Sequence, residues 1–175
     1  MTRRLVMPFL FVATALWAMP ARAANDATAE SKVIPVRAAD DVIAEKDMDS
    51  ARLVALFKTA FMKADLDEKG DVRVEDANMK IYVKVSNDRK FLIFIATFRF
   101  KESASRLAML ELVNRINDKN IFARAAVTTD NGLWFDYFLS YEQGLQAHQI
   151  VTAYKWFSKA VTGSLDKHDT EDIVK

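Results

Sequence analysis

Alternation of apolar and polar residues along the chain predicts a set of β-strands, the most apolar of which lies at residues 91–100. Asn87-Asp88 is a turn signal just before it, and Asn131-Gly132 is a strong hairpin signal further along the chain. Both turns lie next to segments with a two-residue alternation, which is typical of antiparallel hairpins. The predicted strands are residues 71–75, 79–85, 91–100, 122–129 and 133–141.

Apolar residues at intervals of three and four predict three amphipathic helices. The first is expected to end near Ala64 or Leu66, and the second can start from a cap at Ser103 or Ser105. The apolar stripes are Leu53, Leu56, Phe57, Ala60, Phe61 and Ala64 in the first helix, Leu107, Leu110, Val113 and Ile116 in the second, widened by Met109 and Leu112, and Ile150, Tyr154, Phe157 and Val161 in the third, with Gly163 as its C-cap.

The order of these elements indicates the fold class. A helix is followed by three strands, a second helix, two strands and a last helix, which is the order α-β-β-β-α-β-β-α. Strands that are joined by hairpins and separated by helices are typical of α+β folds. We therefore expect a five-stranded antiparallel sheet with helices packed mainly on one face.

The parity of the strands divides this sheet into two apolar faces. One face should be the helix-covered core, and it carries Ile81, Val83, Val85, Leu92, Phe94, Ala96 and Phe98. The other face is also apolar, and such a patch usually marks a protein partner, a self-association surface or a ligand groove. Alternatively, the preceding linker or a helix covers it. The candidate partner-binding residues on this second face are Tyr82, Phe91, Ile93, Ile95, Trp134 and Phe138.

Residues 1–23 have the features of a secretory signal peptide. Arg3 and Arg4 form a positive start, residues 5–19 are apolar, and Ala21-Arg22-Ala23 is a small-x-small cleavage site. The apolar stretch is shorter than the ~20 residues that a membrane span needs, so we expect cleavage after Ala23 and no stable span afterwards. The protein is then periplasmic or secreted. The rest of the chain divides into a linker at 24–48, a domain at 49–163 and a charged flexible tail at 164–175.

Composition argues against several kinds of site. Without the three arginines of the leader, 22 of the 25 basic residues remain against 24 acidic residues, a net charge of −2. Nucleic-acid binding needs clustered positive charge, which this balance does not supply. The chain has no cysteine and two histidines, and it contains no phosphate-cradling glycine loop or nucleophile elbow. We expect a non-enzymatic protein with no catalytic residues, no metal and no cofactor.

Residues 110–125, with the sequence LELVNRINDKNIFARA, resemble the YbjN family of bacterial proteins. In that family, a helix with an Asn-x-x-Asn-like ending, here Asn114 and Asn117, precedes a Phe-centred entry into the fourth strand, here Phe122. The similarity extends over residues 50–163. It implies a fold similar to type III secretion chaperones, no catalytic residues and a regulatory role described as sensory transduction. A signal peptide departs from that description, since it places the protein outside the cytoplasm.

Two hypotheses for the function follow. The first is an exported, non-enzymatic protein-binding module, chaperone-like or regulatory, that binds a protein partner or a second copy of itself through the second sheet face. The alternative is a periplasmic carrier of a small apolar ligand. The pocket of such a carrier would be lined by Phe94, Phe98, Phe135 and Tyr137.

Overall fold

The computed structural model describes residues 41–76 and 79–175. The predicted signal peptide at 1–23 and most of the predicted linker lie outside these residues. The described elements are the helices α1 (Ser50–Thr59), α2 (Arg106–Lys119) and α3 (Ala147–His168), the 3-10 turn Glu45–Asp47, and the strands β1 (Val42–Ile43), β2 (Lys63–Leu66), β3 (Val72–Asp76), β4 (Met79–Val85), β5 (Phe91–Arg99), β6 (Arg124–Val127), β7 (Gly132–Ser140) and β8 (Leu145–Gln146).

The main sheet is antiparallel and has the strand order β2-β3-β4-β5-β7-β6. Strands β1 and β8 form a separate two-stranded sheet. The predicted α+β class is confirmed, and the three helices and five strands occur in the predicted order. The main sheet has six strands rather than five, because β2 was not predicted.

Strand β2 replaces the last turn and a half of the predicted first helix. Helix α1 ends at Thr59, where Phe61 has a φ of 61° and donates to the carbonyl of Lys58 at 3.0 Å, while Met62 donates to that of Phe57 at 3.0 Å. These two bonds form a Schellman motif that satisfies the last carbonyls of the helix. The chain then turns into β2, where Ala64 is buried as the partner of Val74. The prediction of a helix to Ala64 or Leu66 was wrong because an apolar residue at this position fits a helix stripe and an inward strand position equally well.

The core lies between the helices and the predicted face of the sheet. Ile81 pairs with Ala96, Val83 with Phe94 and Val85 with Leu92, so the predicted parity of this face is confirmed. The inward side chains pack in one cluster with the buried residues of all three helices. Two of its aromatic contacts join helices to the sheet and to each other: Phe94 to Phe157 at 6.1 Å and Phe57 to Tyr154 at 5.3 Å between ring centres.

Helix α2 is rotated from its predicted orientation. Ser105 caps it by accepting from the Ala108 N–H at 3.1 Å, as one of the two predicted caps. Leu107 and Leu110, which were expected to face the core, are exposed. The other four residues of the predicted stripe are buried as expected: Met109, Leu112, Val113 and Ile116. The sequence contains apolar residues on both sides of the stripe, and only packing against the sheet selects between them.

Both ends of the described chain pack more closely than predicted. In the predicted linker, Ile43 and Met48 are buried in the core. At the other end, α3 continues through Gly163 to His168, so Gly163 is not its C-cap. The predicted flexible tail then returns to the sheet, where Val174 forms a bridge with Phe100 and the carbonyl of Ile173 accepts from Lys101 at 2.8 Å. Because most residues of this segment are charged, the sequence did not predict that Ile173 and Val174 attach it to the sheet.

Candidate protein-binding surface

The six predicted partner-binding residues lie together on the face of the main sheet opposite the helices, which we call the outer face. Tyr82 on β4 pairs with Ile95 on β5, and Ile93 pairs with Phe138 on β7, so alternate positions of three adjacent strands meet there. The rings of Phe91 and Phe138 contact edge to face at 6.1 Å. The buried residues of the three helices belong to the core on the opposite face.

The outer-face residues differ in exposure. Phe138 exposes 48% of its surface, whereas Phe91 and Ile93 are half-buried. Ile95 is buried, although it does not belong to the helix-facing core cluster. In the strand register it lies between Tyr82 and Asp136. The most accessible apolar part of this face is therefore the end near Phe91 and Phe138.

On the β6 side of the outer face, the carboxylate of Asp136 connects the side chains of Arg124 and Trp134. Asp136 is only 4% exposed, and its carboxylate accepts from Arg124 through Nε at 3.0 Å and Nη2 at 2.5 Å. The indole Nε1 of Trp134 donates to the same carboxylate at 3.0 Å. This bonding raises the pKa of the Arg124 guanidinium. A bidentate Arg–carboxylate pair has a defined geometry, so Asp136 fixes the positions of both Arg124 and Trp134.

Charged pairs border the apolar centre on the other side. Arg73 on β3 donates to both carboxylate oxygens of Asp65 on β2, at 2.9 and 2.7 Å, and this hydrogen bonding lowers the pKa of Asp65. Lys84 lies 3.0 Å from Asp71. One row of cross-strand partners runs through the whole sheet as Asp65, Arg73, Tyr82, Ile95, Asp136 and Arg124. The outer face is thus an apolar patch with charged flanks, the arrangement expected of an interaction surface.

The apolar surface continues around the β6 edge through residues that were not among the six predicted partner-binding residues. Phe138, Ile121 and Phe122 line one cavity of about 440 Å³. The Phe122 ring stacks on Tyr137 at 4.1 Å and contacts Trp156 of α3 at 5.7 Å. Ile121 is fully exposed and Trp156 is 62% exposed. We call Ile121, Phe122 and Trp156 the edge cluster.

A second cavity, of about 570 Å³, lies on the helix side of the edge cluster. Phe122 and Trp156 form part of its apolar lining, and Lys159 and Lys167 supply positive charge. The sequence contained one signal for this site, because Trp156 is a large aromatic residue next to the predicted stripe of α3 and outside it. An aromatic side chain at a solvent-facing helix position is a candidate contact residue.

The four residues predicted to line a carrier pocket do not form one. Phe94 and Phe135 are fully buried in the core, where their rings pack against Tyr137 and Phe98 at 5.9 and 6.0 Å. Tyr137 borders the cavity beside Phe122, whereas Phe98 borders a different one at the opposite end of β5. Aromatic residues on inward strand positions filled the core instead of enclosing a ligand.

Within residues 41–76 and 79–175, no group of three or more histidine, aspartate or glutamate side chains is arranged to hold a metal ion. Over the same part of the chain, no helix combines the length and the apolarity that crossing a membrane requires.

The sequence model of the YbjN family, described as "putative bacterial sensory transduction regulator", matches residues 49–166, which is more than half of the chain. The chain belongs to the YbjN family. The predicted resemblance is thereby confirmed. Among curated proteins, nothing matches this member of the YbjN family.

Solved structures support the same assignment at the level of the fold. The crystal structure of YbjN, "a putative transcription regulator from E. coli", matches with a TM-score of 0.60 and 14% identity, covering 71% of this chain and 94% of that one. The Yersinia pestis type III secretion chaperone SycH, in complex with a stable fragment of YscM2, matches with a TM-score of 0.42, 18% identity and coverages of 65% and 98%. The HopA1–SchA chaperone–effector complex matches with a TM-score of 0.48 and 11% identity, covering 65% of this chain and 90% of that one.

Proposed function

We propose that this YbjN-family chain is an exported, non-enzymatic protein-binding module with a chaperone-like or regulatory role. Its binding surface consists of the accessible outer-face residues Phe91, Ile93 and Phe138, extended by the edge cluster. The observation that carries this proposal is the continuity of the apolar surface: Phe91 contacts Phe138, Phe138 shares a cavity with Ile121 and Phe122, and Phe122 contacts Trp156.

The chemistry of this surface favours a protein over a small molecule as the partner. Aromatic residues dominate it, and interfaces between proteins are enriched in exposed aromatic side chains that anchor the partner. Its polar flanks, which include Arg124 and Lys159, would surround such an anchor as a hydrated rim. Support for export comes from residues 1–23, whose basic start, apolar stretch and small-x-small site are those of a cleaved leader.

Substitution of Phe138 and Ile93 by Glu tests this proposal. Each variant of residues 24–175, the predicted mature chain, is used to capture partners from a periplasmic extract alongside the unmodified chain. We expect each to lose at least 90% of the specific partner, about a tenfold or greater loss of affinity, because a charge at a buried interface centre stays without a partner. Leu107→Glu is the matched control, since Leu107 is an exposed apolar residue on α2, away from this surface.

Circular dichroism of the same variants separates loss of binding from loss of folding. The proposal fails if Phe138→Glu and Ile93→Glu capture the same partner as well as the Leu107→Glu control does. It also fails if both variants unfold, because the outer face would then be part of the core. Native mass spectrometry of the unmodified chain adds one further outcome: a small apolar molecule bound to the chain would favour the carrier hypothesis.

A further inference from the structure

The two edge strands of the main sheet, β6 and β2, differ in whether their outward backbone groups are hydrogen-bonded. On β6, the N–H and C=O of Ala125 point away from β7, because the Thr128 N–H bonds to Gly132 and hydrogen-bonded pairs alternate along an antiparallel ladder. The side chain of Asn117 on α2 pairs with both groups, donating to the carbonyl at 3.0 Å and accepting from the N–H at 2.8 Å. The β6 edge is therefore closed at Ala125.

On β2, the corresponding groups lie open. The Asp67 N–H donates to the carbonyl of Asp71 at 2.9 Å, which sets the alternation along β2 and β3. Asp65 and Lys63 then exchange bonds with β3, while the backbone groups of Ala64 and Leu66 point outward. Within the described residues, neither Ala64 nor Leu66 has a hydrogen-bond partner for these outward groups. An edge strand of this kind is a template for pairing with another strand.

We infer that β2 pairs with β2 of a second copy of this chain, in an antiparallel arrangement with its two-fold axis at Ala64. This register places Lys63 of each copy opposite Asp65 of the other, so the outer face gains two pairs of opposite charge. Lys63 already pairs with Glu75, and Asp65 with Arg73. The new pairs would join these existing ones into a continuous network across the two copies.

The alternative registers place like charges opposite each other. Pairing about residue 65 brings Lys63 opposite Asp67 but places Asp65 opposite itself, and pairing about residue 66 places Asp65 opposite Asp67. Like charges directly opposite each other on neighbouring strands are destabilising. Among the three registers that use the outward backbone groups, only the one about Ala64 pairs opposite charges without placing like charges opposite each other.

The apolar side chains beside β2 also match in this register. Leu66 is exposed and would lie opposite the half-buried Met62 of the other copy. The small side chain of Ala64 at the axis allows the two strands to approach to normal sheet spacing. Phe61, next to this edge, is fully exposed in a left-handed conformation that is costly for a bulky residue. The outer face of each copy stays accessible, so this inference stands apart from the proposed function.

Charge reversal tests the inference by sedimentation analysis of the purified protein. Lys63→Asp and Asp65→Lys should each weaken the homodimer at least tenfold, because each places like charges opposite each other twice. An equimolar mixture of the two variants should recover the dimer, since both cross-strand pairs are then of opposite charge. Lys155→Asp, at an exposed position on α3, is the control and should dimerise normally.

A single cysteine tests the register without altering any charge. The chain contains no cysteine, so the Ala64→Cys variant can form a disulfide only between position 64 of one copy and position 64 of another. Hydrogen-bonded antiparallel partners lie about 5.5 Å apart between Cα atoms, within disulfide range. Oxidation should therefore link Ala64→Cys into a dimer and leave the Leu66→Cys control as a monomer, since residue 66 faces residue 62.

Several results would overturn the inference. A wild-type chain that is monomeric at every concentration would do so, and so would charge-reversal variants that dimerise as well as the Lys155→Asp control. A mixture that stays monomeric while both variants are folded would exclude the proposed charge pairs. Efficient cross-linking of Leu66→Cys with none of Ala64→Cys would exclude the register.

Discussion

Asp136 and Tyr141 are two buried polar side chains near the same strand whose hydrogen-bonding groups are satisfied very differently. The Asp136 carboxylate accepts bonds from Arg124 and Trp134. The hydroxyl of Tyr141 is buried and has no hydrogen-bond partner among the described residues. Burial also raises the pKa of the Tyr141 hydroxyl. A buried polar group without a partner costs stability because it has lost its bonds to water.

Replacing Tyr141 with Phe should raise the free energy of unfolding by ~1 kcal/mol at neutral pH, because it removes this unpaired hydroxyl and keeps the ring. The effect should also depend on pH. The pKa of Tyr141 is raised in the folded state, so ionisation of this hydroxyl is harder in the folded chain than in the unfolded chain. The unmodified chain therefore keeps its full stability below the unfolded pKa of about 10 and loses part of it as the pH rises through the folded value. Tyr141→Phe should therefore lose less stability in alkali than the unmodified chain.

Urea denaturation at neutral pH and above pH ~10 measures both effects. Tyr137→Phe is a suitable comparison, because Tyr137 is also aromatic, lies on the same face and is only half-buried. A destabilised Tyr141→Phe protein would show that the hydroxyl has a favourable interaction in solution.

At the scale of elements, helix α2 does more than cover the sheet. Its residue Asn117 is exposed, yet it supplies both bonds that the outward backbone of Ala125 on β6 requires. One turn earlier, Asn114 is also exposed on the same helix, and its side chain forms no hydrogen bond to another described residue. The two asparagines of the family-like pattern therefore have different consequences, and only the later one closes a sheet edge.

Asn117→Ala should lower the free energy of unfolding by ~1 kcal/mol, because two backbone groups of β6 lose their partner and must be solvated. The opened edge should also make the protein more prone to aggregate on heating. Thermal unfolding followed by circular dichroism and light scattering detects both changes. Alanine is a better helix former than asparagine, so helix propensity alone would not lower the stability of either variant. If Asn114→Ala has the same effect, the loss is a general surface effect, and the assigned role of Asn117 is wrong.

At the scale of the whole molecule, both ends of the described chain are attached to the sheet region. At the start, β1 pairs with β8, and the Ala147 N–H donates to the carbonyl of Asp41 at 3.0 Å. At the end, Asp169 accepts from the N–H groups of Ile173 and Val174 at 2.9 and 3.0 Å, which turns the chain back toward β5. Ile173 is consequently buried.

Ile173→Asp should destabilise the protein by ~2–3 kcal/mol, because it removes a buried apolar side chain and places a charge there. Lys175→Asp, two residues further along and exposed, should change the free energy of unfolding little. Chemical denaturation of both variants makes the comparison. Equal, small effects would mean that the last residues do not anchor to the sheet in solution, as the sequence alone had predicted.

Local patterns in the sequence determined much of this fold. The two-residue alternation in β4 and β5 correctly assigned Val83 and Phe94 to the core and Ile93 to the outer face, because a strand turns successive side chains to opposite sides whatever its neighbours are. The Asn131-Gly132 pair located the β6–β7 turn, where Asn131 has a φ of 58°. The family was also recognisable from local residues around Asn117 and Phe122.

Other features were decided only by the tertiary structure, since they depend on partners distant in the chain. Whether Ala64 continued a helix or began a strand depended on pairing with Val74, and the burial of Ile173 depended on its return to β5. The edge cluster could not be located because Phe122 and Trp156 meet across 34 positions of sequence. A repeat of two or 3.6 residues records the orientation of each side chain on its own element, whereas edges, ends and exposed surfaces are set by how the elements meet.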